Sequence, residues 1–385
     1  MTEKLYDRDS FCRAFTGRVL SCEPGEPGRW LAELDRTAFF PEGGGQAADT
    51  GTLGAARVLD VRERAGHILH TLDAPLTPGD TVEGALDWPQ RLRRMQNHTG
   101  EHIFSGLVYS RYGYANSGFH LGDRAMTVDY SGELTWAQVL ELEAEANRAV
   151  FADVPVRAEY PAPEVLAGLH YRSKLDLKEN IRIVTVEGYD VCACCAPHVR
   201  STGQVGGLKV TDLMRHRGGV RLTMVCGLTA LDDYNEKLAA VQAVSAALSA
   251  PQTALPQAVA RLQADLQATQ YTLEGLRRQL AADKAAALPE TEGCLVCIEP
   301  LLSVEALRLL VAGAMEKCAL CAGFTGSEGD WRYVIAAKSA DLRAVGKAVN
   351  AALHGRGGGR DRMIQGSAAC TRAEIETFFA AYRPK

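Results

Sequence analysis

Over roughly the first 85 residues, apolar and polar positions alternate in short runs. Residues 18–21, 30–34, 56–61 and 67–72 each carry this period-two pattern, with Gly, Pro and Asp turns between them. Such runs are expected as strands, and so many short ones close most simply as a small β-barrel. Residues 36–51 form a glycine-rich loop between two of them. The period changes at about residue 88. Asp87-Trp-Pro-Gln reads as a helix start, with Asp87 as N-cap and Pro89 in the first turn. Leu92, Met95, Ile103 and Leu107 then recur at helical spacing. Strands are expected around His120 and over 126–130, a helix over 135–150, and a strand over 182–187. A strand pair over 208–227 carries a Gly-Gly hairpin signal at 218–219.

Composition shifts near residue 230 toward Ala, Leu and Gln. Leu231, Tyr234, Leu238, Val241 and Leu248 form one apolar stripe; Val259, Leu262, Leu266, Leu273, Leu276 and Leu280 form a second. Residues 249–256 break the helix between them, so a helical hairpin or short coiled coil is expected, spacing two domains or supporting a homodimer. The remainder returns to mixed patterning: a strand at CLVCIEP, a helix over 303–317, a strand at RYVIAAKS, and helices over 342–353 and 371–382. A second glycine-rich loop, HGRGGGRDRMIQGSA, lies between the last two helices. The fold class is therefore expected to be α+β. Its parts are a small β-barrel (1–87), an α/β lobe (88–229), a helical hairpin linker (230–288) and a C-terminal α/β domain (289–385).

The chain has 385 residues, 46% of them hydrophobic and 23% charged, with a formal net charge of −5. These values fit a globular protein and exclude disordered, collagenous and membrane classes for the chain as a whole. They also exclude coating of nucleic acid by bulk positive charge, but leave room for local basic patches. The charged N-terminus lacks an apolar run and no stretch approaches a membrane span, so a cytoplasmic protein without a signal peptide is expected. Its 11 cysteines are then expected as thiols rather than disulfides, most of them packing as small hydrophobes. The exception is the cluster Cys192, Cys194 and Cys195.

Candidate chemistry centres on two half-sites. His98 and His102 are four residues apart in an expected helix, so both imidazoles lie on one face and can share a metal. Cys194 and His198 make a C-x-x-x-H pair in a loop after a strand. Thiolate plus imidazole suits Zn²⁺, and a shared site of His98, His102, Cys194 and His198 is expected, with Cys192 and Cys195 competing for the thiolate role. HTGEH also matches the inverted H-x-x-E-H zinc-peptidase motif. There Glu101 would be the general base, with Glu179 or Glu187 as a carboxylate ligand. The plainer reading of Glu101 is a solvated helix residue. In Phe40–Gln46, the glycines Gly43, Gly44 and Gly45 let backbone approach a ligand closely, and Gln46 offers a neutral amide. This is not a P-loop, since the G-K-[ST] ending is missing.

Taken together, TAFFPEGGGQAADTG, HTGEH, and CCAPHV followed by STGQVGGLKV resemble, in order and spacing, the editing domain of alanyl-tRNA synthetase. The tail GRGGGRDRMIQGSA resembles the DHHA1-type domain that follows it there. Without a class II aminoacylation domain, the chain resembles a free-standing, long-form alanyl-tRNA editing protein. The resemblance implies a trans-acting deacylase that hydrolyses serine, or glycine, mischarged onto tRNA(Ala). It also implies Zn²⁺ on His98, His102, Cys194 and His198, with Thr99 recognising serine and Gln46 lining the pocket. Where relatives read C-G-G-T-H, this chain has Cys194-Cys-Ala-Pro-His198. The alternatives are a metallopeptidase and a non-catalytic RNA-binding zinc module. For contact with tRNA, the candidates are Arg91, Arg93 and Arg94, then Arg215 and Arg217. In the tail they are Arg356, Gly357, Gly358, Gly359, Arg360 and Arg362, where the resemblance implies contact with the tRNA body.

Overall fold

A computed structural model describes residues 2–173, 180–360 and 362–382, with the side chain of Arg360 left out. The chain forms two compact units, Met1–Gln242 and Ala243–Lys385. Apart from a short parallel pair, Glu3–Lys4 with Arg36–Thr37, and a helical turn at Leu5–Arg8, the first begins with six strands: β1 (Ala14–Pro24), β2 (Trp30–Leu34), β3 (Gly51–Leu53), β4 (Ala56–Arg64), β5 (His67–Leu72) and β6 (Thr81–Leu86). They pair in the order β1-β2-β5-β4-β3-β6, and β6 returns to β1 to close a barrel. Alternation along the strands turns Val19, Leu34, Leu53, Val58, Ile68 and Leu72 inward, and all six are buried.

Helix α1 (Trp88–Tyr112) follows, capped by Asp87, whose side chain accepts from Gln90 N at 3.2 Å. It ends at Gly113 in the left-handed region, φ 70°. Next come β7 (Asn116–Leu121), β8 (Met126–Tyr130) and α2 (Trp136–Ala152), the last started by a Thr135/Gln138 capping box. Two antiparallel sheets complete the lobe. One contains β9 (Val156–Glu159), β10 (Ile183–Val186) and β11 (Asp190–Ala193). The other has the order β12-β13-β8-β7, with β12 at Leu208–His216 and β13 at Gly219–Cys226. Helix α1 is buried along much of its length. A methyl on Gly100 would overlap the Cys226 thiol, and one on Gly106 would overlap the Tyr189 carbonyl oxygen. These two glycines let the helix sit directly on β13 and on the turn into β11. Helix α3 (Gly227–Ala247) leads out.

The second unit contains α4 (Leu255–Ala287), β14 (Cys294–Ile298), α5 (Val304–Ala314), β15 (Leu320–Ser327) and β16 (Asp330–Ala337). After these come α6 (Leu342–Ala352), β17 (Arg356–Arg360), β18 (Met363–Ala368) and α7 (Arg372–Ala381). Its sheet has the order β14-β15-β16-β18-β17, antiparallel except for the first pair. Two features correct the sequence reading. Strand β15 was not anticipated, because its near-continuous apolar run lacks alternation; both its faces are covered. The expected glycine-rich loop is instead the hairpin β17–β18. A side chain on Gly357 would strike the Tyr333 hydroxyl and β18 backbone, and one on Gly359 would meet Met363 O at 2.5 Å. Glycine there serves close strand packing.

Candidate metal centre

Helix α1 places His98 and His102 one turn apart, and the segment after β11 brings Cys194 and His198 to them. One ligand atom from each of the four residues lies within 4.8 Å of all the others. Cys194 Sγ is 3.6 Å from His98 Nε2 and 3.4 Å from His198 Nε2. The three histidines are almost wholly buried. Each ring has an oxygen partner at Nδ1. His98 donates to Gln46 Oε1 at 3.0 Å, His102 lies 3.0 Å from Asp190 Oδ2, and His198 lies 3.0 Å from Thr99 Oγ1. An amide carbonyl and a carboxylate can only accept, so Nδ1 of His98 and of His102 carries a proton and Nε2 is the atom left for the centre.

The electrostatics separate the three neighbouring thiols. Burial disfavours a Cys194 thiolate, but His98, His102 and His198 overcome this and hold its pKa well below the usual thiol value. Burial pushes Cys192 and Cys195 up to about 11. Burial and the neighbouring His102 charge keep His198 neutral, with its pKa lowered to about 3. One thiolate sulfur and three imidazole nitrogens make the donor set of a tetrahedral metal site. Cys192 instead groups with His102 and Asp190, and Cys195 faces the glycine turn.

That turn is tight. Gly43 and Gln46 exchange backbone hydrogen bonds at 3.0 Å, and Gly44 and Gly45 between them have φ +61° and +82°. A Cβ on Gly45 would lie 2.6 Å from Phe119 O. Two consecutive positive φ values and this contact with β7 require glycine. Asp49 anchors the loop, accepting from Phe40 N (2.7 Å) and from Arg91 Nε (3.0 and 2.9 Å). Gly44 and Gly45, with His98, His102, Cys194 and Phe119, line a cavity of about 480 Å³.

The second half-site is held by two arginines that sequence reading missed. Arg182 donates to the carbonyls of Cys194 and Ala196, at 3.1 and 2.8 Å. Arg172 forms a two-pronged bond to Asp190 at 2.7 and 2.8 Å. Burial would raise the Asp190 carboxyl, but His102 and Arg172 hold it below its ordinary range. No motif spacing marks these residues; Arg182 comes in where β10 pairs with β11, and Arg172 by its own backbone bridge to β11 at Cys192.

A match to the Threonyl and Alanyl tRNA synthetase second additional domain covers residues 181–222, which include Cys194 and His198. Alanyl-tRNA editing protein AlaX-L of Pyrococcus horikoshii is 33% identical over 62% of this chain and 61% of its own length. Alanyl-tRNA editing protein Aarsd1 of Mus musculus is 26% identical over 98% of this chain and 97% of its own. The chain is thus similar to alanyl-tRNA editing proteins, in the mouse relative over nearly its whole length. Alanine–tRNA ligase of Ignicoccus hospitalis is 30% identical over 80% of this chain, which spans 36% of that ligase.

Several expected residues stand elsewhere. Glu101 is not solvated: it is buried beside the cavity and accepts from Ser105 Oγ and Asn116 Nδ2, each at 2.5 Å. Glu187 is exposed and lies 3.6 Å from Arg157, and Glu179 falls outside the described residues. Thr99 is fully buried; besides His198, its hydroxyl accepts from Val199 N (3.3 Å), and it is absent from the cavity lining. Arg91 is 0% exposed and ties α1 to the glycine loop, so it is no RNA contact. Arg93 pairs with Asp232 and Arg94 donates to Ala48 O, each at 2.5 Å. Arg215 and Arg217 are exposed beside the β12–β13 turn. Arg356 and Arg362 are exposed on the β17–β18 hairpin, in the other unit from the metal centre.

Proposed function

We propose that the chain is an aminoacyl-tRNA deacylase that hydrolyses serine, or glycine, mischarged onto tRNA(Ala), using Zn²⁺ held by His98, His102, Cys194 and His198. The observation that carries this reading is the convergence of those four side chains, three of which (His98, His102 and Cys194) line a cavity that also reaches Gly44 and Gly45. Bond lengths of about 2.3 Å for Zn–S and about 2.0–2.1 Å for Zn–N, at a tetrahedral angle, put sulfur and nitrogen about 3.5 Å apart. The separations of 3.6 and 3.4 Å fit that geometry. When bound, the ion supplies Lewis acidity toward the ester or its attacking water, or an anchor for the aminoacyl group.

The residues of the chain do the positioning. Gln46 and Asp190 fix two imidazoles, and Thr99 fixes His198 rather than touching substrate. The side-chain-free glycine turn admits the aminoacyl end close to backbone. A buried site that hydrogen-bonds the serine hydroxyl leaves a polar group unpaired when alanine enters, and so rejects it. Arg356 and Arg362 would contact tRNA phosphates. Such an activity belongs in the cytoplasm; among the described residues no helix is long and apolar enough to cross a membrane. The seam on α4 (Val259, Leu262, Leu266, Leu273, Leu276, Leu280) keeps heptad spacing and is 37–64% exposed, which supports pairing with a second copy.

The test incubates the purified chain with Ser-tRNA(Ala), Ala-tRNA(Ala) and a peptide library. Loss of the serine ester alone, abolished by chelation and restored by Zn²⁺, is expected. Intact Ser-tRNA(Ala) overturns the proposal. Peptide cleavage lost in Glu101→Gln would favour the metallopeptidase instead.

A further inference from the structure

In HTGEH, Glu101 is the residue that the metal centre does not use. It sits on α1 directly before the candidate ligand His102 and is 3% exposed. Its Oε1 accepts from Ser105 Oγ and from Asn116 Nδ2, each at 2.5 Å. Ser105 Oγ is in turn 2.8 Å from the Tyr130 hydroxyl. The carboxylate is therefore held by the next turn of α1, by the start of β7 and, through Ser105, by the end of β8. Its Oε2 lies 3.9 Å from His102 Nε2, the ring atom left for the centre.

The cavity beside the centre gives this placement a use. Glu101 lines it, and among the described lining residues it is the one carboxylate. The two lining guanidiniums already have protein partners: Arg172 bonds Asp190, and Arg182 bonds the carbonyls of Cys194 and Ala196. A second acceptor stands next to Glu101. Because a carboxylate only accepts, Asn116 must turn its amide nitrogen to Glu101. Asn116 is 8% exposed, and its Oδ1 is left buried with no hydrogen-bond partner among the described residues. A carboxylate and an unpaired amide oxygen together call for a positively charged donor. An aminoacyl ester brings one. Its α-amine, protonated near neutral pH, is two bonds from the carbonyl carbon at which the ester is cleaved.

We infer that Glu101 is a specificity-determining residue that receives the α-ammonium of the aminoacyl ester, with Asn116 behind it as a second acceptor. This rests on the deacylase reading and adds a requirement separate from that for the serine hydroxyl: the acyl group must carry a free amine. The site thereby spares esters whose amine is blocked, such as peptidyl-tRNA.

The experiment compares two esters on the full chain, metal loaded. One is Ser-tRNA(Ala). The other is the same tRNA carrying 2,3-dihydroxypropanoate, in which a hydroxyl replaces the α-amine. Wild type, Glu101→Gln and Glu101→Asp are assayed side by side, and the metal content of each is measured. Relative to the spontaneous rates, wild type should prefer the serine ester in kcat/KM. Glu101→Gln should lower kcat/KM for the serine ester about 10–100-fold more than for the dihydroxy ester, the scale of one charge-assisted hydrogen bond. Glu101→Asp, which keeps the charge, should retain part of the preference. Comparing variant with wild type on each ester cancels the difference in their intrinsic lability. A merely structural role for Glu101 lowers both esters alike, and that result would overturn the inference. So would a wild-type chain that hydrolyses both equally well, a result that needs no variant to fold. Hydrolysis of neither ester by wild type would instead overturn the deacylase reading itself.

Discussion

Asp190 is buried between His102 and Arg172, and its carboxylate orients the ring of a candidate metal ligand. Asp190→Asn keeps the shape and removes the charge, so metal affinity should fall by about 10–100-fold. Competition against a chromogenic chelator measures this, and unchanged affinity would show that Asp190 does not tune the site. Among the thiols, Cys194→Ala should lose bound metal and Cys195→Ala should keep it, read as metal content. His70 gives a separate, pH-dependent test. Burial in the barrel lowers its pKa from 6.5 to about 4. The folded state therefore binds the proton less readily than the unfolded state. The stability this neutral ring supports at pH 7 is lost as pH falls from about 6.5 to about 4, a change of order 3 kcal/mol. Urea titrations across that window should show a smaller loss in His70→Gln. At this scale the clustering of His98, His102, Cys194 and His198 was legible, because fixed spacings on a helix and in a loop declare it. Asp190, Arg172 and Arg182 were not, because their roles exist only across strand pairs.

Among the elements, α1 carries the most consequence. Its start, cap and apolar period could be read directly, and so could the shared face of His98 and His102. Its burial could not. Gly106→Ala would ordinarily add about 1 kcal/mol to an exposed helix. Here the methyl would overlap Tyr189 O, next to Asp190, so the sign reverses. Thermal denaturation should show loss of stability, and chelator competition a weaker metal site. The glycine turn behaves likewise. Gly45→Ala adds a clash with Phe119 O to a left-handed backbone, which should cost about 1–3 kcal/mol and displace Gln46 from His98. The tail shows the opposite misreading. Its glycines resemble a ligand-binding loop in sequence but form a strand whose neighbours leave no room for side chains. Arg91 was similarly misread as surface charge, since only its partner Asp49, 42 residues away, makes its burial tolerable.

For the molecule as a whole, a net charge of −5 sits with a few placed arginines rather than a basic surface. Association with tRNA should therefore be modest and strongly salt-dependent. Filter binding at two salt concentrations tests this. Arg356→Ala with Arg362→Ala should weaken binding and flatten the salt slope, leaving hydrolysis of saturating substrate unchanged. The α4 seam bears on assembly. If two copies pair there, Leu266→Lys with Leu273→Lys should convert a dimer to a monomer in sedimentation equilibrium, with the metal content intact.

Sequence alone determined the α+β class, four of the six barrel strands, most helices and the four candidate metal-ligating side chains. Each follows from local periodicity or short spacing, which the covalent chain enforces by itself. Tertiary structure decided which thiol of Cys192, Cys194 and Cys195 meets the histidines. It also decided that Glu101 and Arg91 are buried and that Thr99 turns to His198. Those outcomes depend on strand register and on contacts between residues far apart in the chain, where one residue of slip exchanges the two faces of a strand.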